Sequence, residues 1–165
     1  MAKPTKHATQ ICAVLSAVAL IGIVIGVVKQ SPLVVILFLL PTVVYEVYRT
    51  EGKSTKWASW VLLIVLVIEA LLITAGVSFD LAGFLGVSEA TVAGYDVPLG
   101  DIKVVGPSLM AVLAVILFVR TYGRYTRWLA AIIFVTSFAI VYTVDPGIFG
   151  RLLQFAVREG LQQVR

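Results

Sequence analysis

Five stretches of this chain are too long and too apolar to lie on the surface of a protein dissolved in water. The first, residues 11–28, runs without a single charge, and the others are 33–48, 57–77, 104–119 and 128–144. An α-helix rises about 1.5 Å per residue, so the roughly 30 Å hydrocarbon core of a bilayer takes about 20 residues. The shorter stretches reach that length when flanking Tyr, Trp and Arg side chains sit at the headgroups. None shows the alternation of a membrane barrel strand.

Composition agrees. Of 165 residues, 60% are hydrophobic and 13% charged, with a mean hydropathy of +1.02. Soluble domains run near 45–50% apolar and about 25% charged. The expected fold is therefore an all-α integral membrane protein, with a bundle of five transmembrane helices over residues 1–145. After Asp145 and Pro146, which suit a helix start, apolar residues such as Phe149, Leu152 and Leu153 recur on one face. Arg151, Arg158 and Arg165 fall on the other. Residues 146–165 thus read as an amphipathic C-terminal helix, placed in the outer interface or against a partner.

Basic residues set the orientation. With the N-terminus in the cytoplasm, the inner segments hold Lys3, Lys6, Arg49, Lys53, Lys56, Arg120, Arg124 and Arg127. The outer loops hold only Lys29 and Lys103. That positive-inside bias puts the C-terminus outside, and a prokaryotic cytoplasmic membrane is the expected location. The first stretch exceeds a signal-peptide core and ends without a small-x-small cleavage site, so it reads as an uncleaved span. The net charge of +4 follows from topology, and no nucleic-acid partner is implied.

The most informative pattern is a duplication. Residues 49–57 and 120–128 share R-T-x-G-[K/R]-x-T-[K/R]-W at a constant offset of 71 residues. The chain therefore reads as one lead helix followed by two similar helical hairpins, each helix pair opened by a proline (Pro32, then Pro107). Both turns fall on one side, which predicts a repeat axis along the membrane normal. In each turn Gly allows the bend, and Trp57, Trp60 and Trp128 anchor the following helices at the interface. Arg49, Lys53, Lys56, Arg120, Arg124 and Arg127 also offer contacts to a phosphate or an anionic lipid headgroup.

One acid, Glu69, lies in the middle of a span, where a charge is expensive unless neutralised or hydrogen-bonded. It is expected to be neutral and to face protein or internal water. Three readings stand level: a hydrogen bond to a hydroxyl such as Ser16, Thr136 or Ser137, a proton or cation relay, and a hydrogen bond between subunits. Its counterpart in the second hairpin is Ile140, so the acid is not duplicated. Glu46, near the inner end of its helix, is expected to reach out to Arg49 or Lys53. Pro41 should kink that helix.

Several functions are excluded. A lone cysteine (Cys12) and a lone histidine (His7) supply no disulfide and no metal or haem ligand set, so no cofactor and no metal are expected. Hydrolase and nucleotide-binding motifs are absent, and the chain does not read as an enzyme. The reading favoured by sequence is a non-catalytic accessory, scaffold or assembly subunit of a larger membrane complex. Its partners would be membrane lipids, some of them anionic, and other subunits or further copies of itself. The alternative is a homo-oligomeric small transporter or channel using Glu69 and the kinked second span.

Overall fold

The computed structural model describes residues 7–76, 91–92, 95–96 and 102–147. Five helices occupy nearly all of this: α1 (Ala8–Lys29), α2 (Pro32–Arg49), α3 (Lys53–Thr74), α4 (Ile102–Arg120) and α5 (Arg124–Val144). All five are long and apolar enough to cross a membrane. Between α3 and α4 lies one antiparallel ladder, β1 (Thr91–Val92) with β2 (Tyr95–Asp96). The amphipathic segment expected over 146–165 falls almost wholly outside the described residues, as does most of the acidic outer loop.

The connections inside each hairpin are shorter than the duplicated pattern suggests. Only Thr50 to Gly52 and Thr121 to Gly123 are non-helical, so the second half of each pattern forms the first turn of α3 or α5. Gly52 takes φ 106°, a left-handed conformation that any side chain would strain. Gly123 has an ordinary φ of −74°. At both glycines a Cβ would press on the hydroxyl three residues on, Thr55 Oγ1 at 2.9 Å and Thr126 Oγ1 at 2.7 Å, so the two turns share a steric reason and only Gly52 adds a conformational one. Pro107 is likewise a correction: it does not open α4 but lies inside it, after Ile102.

The α1–α2 connection is tighter still. Gln30 closes α1 in the left-handed region, and the Ser31 amide donates to the Gly26 carbonyl at 2.9 Å. Proline at the first position of α2 then starts the next helix with φ already set.

Packing follows the duplication. Helices α2, α3, α4 and α5 form a closed ring, each touching the next and α5 touching α2. Exchanging the two hairpins maps α2–α3 onto α4–α5 and α3–α4 onto α2–α5, as a two-fold axis down the ring requires. Buried residues match at the same offset: Leu39 with Met110, Val43 with Ala114, and Leu62 with Ile133. Helix α1 breaks the symmetry: among the described helices it packs chiefly against α2 and α5. Its buried face consists of small residues, Ala8, Cys12, Ser16, Ala19, Gly22 and Gly26, while Val14, Leu20, Ile21 and Val24 point outward. Small residues let helix backbones approach closely, the pattern used where lipid rather than water surrounds the bundle.

Candidate functional site

The polar groups sealed inside an otherwise apolar ring are where chemistry can occur. Two are glutamates. Glu46 on α2 is 0% exposed and Glu69 on α3 is 2% exposed. Glu46 lies three residues from the turn end of α2, about 4.5 Å along the helix, and Glu69 sixteen residues into α3, about 24 Å. The acids therefore stand near opposite ends of the ring interior. Between those levels Leu39, Leu62, Leu66, Met110 and Ile133 are fully buried and form an apolar layer, while the hydroxyl residues Thr42, Thr136 and Ser137 are buried on either side of it.

Glu69 is held by a notch. Its Oε2 lies where a Cβ on residue 106 would be, so only glycine at that position of α4 leaves room for the carboxyl. The expected hydroxyl partners are committed elsewhere: Ser16 donates to the Cys12 carbonyl, Thr136 to Ile132 and Ser137 to Ile133. Each hydroxyl satisfies itself one turn back on its own helix, which is the reason none reaches across to Glu69.

Glu46 departs from expectation more sharply. It does not extend to Arg49 or Lys53, because its face of α2 turns inward together with Leu39, Thr42 and Val43. Thr50 Oγ1 donates at 2.8 Å to both the Glu46 carbonyl and Glu46 Oε1. Ser59 Oγ of α3 donates to Thr50 Oγ1 at 3.0 Å and lies 3.2 Å from the Thr55 carbonyl. Glu46 Oε2 and, one turn away, Thr42 Oγ1 are buried with no hydrogen-bond partner among the described residues. Arg49 instead places its guanidinium 4.8 Å above the ring of Tyr125.

The second hairpin lacks all of this. The counterparts of Glu46, Ser59 and Glu69 are Leu117, Ala130 and Ile140, each fully buried. Thr121, the counterpart of Thr50, has the hydroxyl without a carboxyl or serine beside it, and its Oγ1 makes no hydrogen bond among the described residues. At these positions the first hairpin is polar where the second is apolar; the reverse holds at Ser137, whose counterpart is Leu66.

The Arg49–Tyr125 contact also brings the two duplicated turns to the same end of the bundle. Lys56, Arg120, Arg124 and Arg127 are exposed there, and Arg127 Nε donates to the Thr121 carbonyl at 2.7 Å. Lys53 begins α3, but its side chain lies outside the described residues. Cations in the first turn of a helix oppose its dipole, so Lys56, Arg124 and Arg127 are not there to stabilise α3 and α5. Of the tryptophans, Trp128 donates to Ser16 Oγ at 3.0 Å and so ties α5 to α1. Trp57 is 74% exposed, and Trp60 is also exposed. Pro41 lies within α2 on its exposed side. Cys12 is buried against the ring, and among the described residues no three His, Cys, Asp or Glu side chains converge as metal ligands.

Sequence reasoning missed Thr42, Thr50, Ser59 and Gly106. Helical phase carried a signal for the first two: 39, 42, 46 and 50 share one face of α2. No family model matches this chain, and neither a curated protein nor a solved structure does.

Proposed function

We propose that the protein is a five-span integral membrane protein that moves protons or small monovalent cations through the interior of its four-helix ring. The basic turns and the N-terminus lie on the cytoplasmic side. One observation carries the reading: Glu46 and Glu69 are sealed inside the ring at positions where the other hairpin holds leucine and isoleucine. A buried carboxyl is costly by several kcal/mol unless neutralised or paired. A scaffold would be more stable with the aliphatic version of both hairpins. The acids flank an apolar layer, so passage requires that layer to open, as expected of a gated path and not of a standing pore. Both acids belong to a single ring, and the path therefore needs no second copy of the chain.

The test is flux. The purified protein, reconstituted in liposomes with a trapped pH-sensitive dye, is expected to dissipate an imposed proton or potassium gradient. Glu69→Gln should abolish this while leaving helicity and mass unchanged, because Gln keeps the shape but cannot titrate. A wild-type protein as silent as empty liposomes would leave the accessory-subunit reading in its place. That second reading has its own support: α1 covers chiefly the α2/α5 groove, and Trp57 and Trp60 stand exposed on α3.

Orientation is tested separately. The native Cys12 is buried, so labelling backgrounds should be low. In intact cells a membrane-impermeant maleimide should label Ala90→Cys and spare Lys53→Cys; the reverse result would invert the topology.

A further inference from the structure

We infer that the ion carried is the proton, and that it reaches the ring interior from the turn end along a hydroxyl–carboxyl chain, Ser59–Thr50–Glu46. This rests on the transport reading above and gives it a substrate and a route.

A small metal cation needs several oxygen ligands converging on one point. The turn end offers a file instead. Ser59 Oγ, Thr50 Oγ1 and Glu46 Oε1 follow one another at 3.0 and 2.8 Å, within hydrogen-bond range, each buried. Such a file passes a proton without passing the atom that carried it. Hydroxyls suit the task because each is donor and acceptor at once. The chain starts at Ser59, buried in the second turn of α3, where its Oγ lies 3.2 Å from the carbonyl of the half-buried Thr55.

The transfer balances. Ser59 is 1% exposed, so the turn must part to admit water; a hydronium then gives its proton to Ser59 Oγ and leaves as water. Ser59 passes its own proton to Thr50 Oγ1, and Thr50 passes its proton to Glu46 Oε1. The hydroxyls are restored, the carboxylate has become a carboxylic acid, and no electrons change hands. The next stop is on the same face of α2. Among the described residues, Glu46 Oε2 and Thr42 Oγ1 each lack a hydrogen-bond partner, one turn apart. Side chains at this spacing have Cβ atoms about 5–6 Å apart, so a single water entering between them would link the two.

The surroundings keep the chain selective. Of the charged and titratable groups, Arg49 on α2 and Cys12 on α1 lie within electrostatic range of Glu46. Helix α3 faces the chain with the Ser59 hydroxyl. The cations of the first turn of α5, Arg124 and Arg127, are exposed at the end of the bundle. Replacing the chain by its counterparts Leu117, Thr121 and Ala130 would leave no continuous path, which confines conduction to the first hairpin.

The experiment uses the full-length protein in liposomes, with Thr50→Val, Thr50→Ser, Ser59→Ala and Glu46→Gln compared for proton flux. In parallel, infrared spectroscopy in detergent follows hydrogen–deuterium exchange of the carboxyl band that Glu46→Gln removes. Thr50→Val is isosteric, and Thr50→Ser restores the hydroxyl, so a folding defect is separable from a broken chain. Thr50→Val and Ser59→Ala should each slow flux and carboxyl exchange by about tenfold or more, and Thr50→Ser should recover both. Normal flux and exchange in Thr50→Val and Ser59→Ala, with flux still abolished by Glu69→Gln, would overturn this route and leave the transport reading standing. No flux in the wild-type protein would overturn both. Potassium flux equal to proton flux would overturn the choice of ion alone.

Discussion

Gly106→Ala will destabilise the bundle by about 2 kcal/mol, within the range for overpacking a well-filled core. The sign is diagnostic. Alanine in place of glycine inside a helix ordinarily stabilises by up to about 1 kcal/mol. Here the new methyl would occupy the space of Glu69 Oε2. The carboxyl is the tip of a flexible side chain, but it is enclosed by α3 and α4 and cannot swing into open space. Glu69→Ala alone should also destabilise, by emptying the notch. The two changes together should cost less than the sum of the singles, with a coupling of about 1–3 kcal/mol. Unfolding of the four proteins in mixed micelles measures the cycle. Additive effects would mean that the carboxyl does not sit in the notch of α4.

The second large effect concerns α1. A Cβ at residue 22 would overlap Phe38 Cβ, and one at residue 26 would overlap a γ-methyl of Val35. The buried Val35 can yield only by changing rotamer, and the Ser31 carbonyl stands 3.3 Å from the same point, whereas Phe38 Cβ is fixed to the α2 backbone and cannot yield at all. Gly22→Ala should therefore cost about 2–3 kcal/mol and Gly26→Ala about 1 kcal/mol, although the two substitutions look identical in sequence. As α1 backs away, the Trp128–Ser16 hydrogen bond should lengthen. Tryptophan fluorescence in a Trp57→Phe, Trp60→Phe background reports that change directly. Equal effects at the two sites would show that α1 docks less closely than described.

Much of the architecture was legible because a single physical demand dominates it. A helix long and apolar enough to cross a membrane satisfies its own backbone, so the five apolar stretches became five helices with ends shifted by a few residues. The duplicated turns were legible for a similar reason, since Arg49 and Arg120 end their helices at one offset and Lys53 and Arg124 begin theirs. The interior was harder. Glu46 near a helix end beside Arg49 resembles a surface acid, and only its phase with Leu39 and Thr42 turns it inward. Glu69 was found by depth alone. Its true neighbour, Gly106, was invisible because that pairing joins residues 37 positions apart through the α3–α4 contact. Pro107 misled because proline is usual at the first turn of a helix, yet it also stands inside helices whose neighbours re-satisfy the backbone.

The ring has a consequence for assembly. Its two hairpins are joined by residues 75–101, 27 positions that include the β1–β2 ladder. Each hairpin is a complete half, and every ring interface is made either within a hairpin or between the two. Two chains could therefore trade halves, the first hairpin of one closing on the second hairpin of the other, and rebuild both rings with every native contact intact. In a crowded bilayer, a monomer and such an exchanged pair would share the same interior and differ only in which hairpins the chain joins. Finding this protein as a dimer would then say nothing about whether two copies are needed for a single pathway.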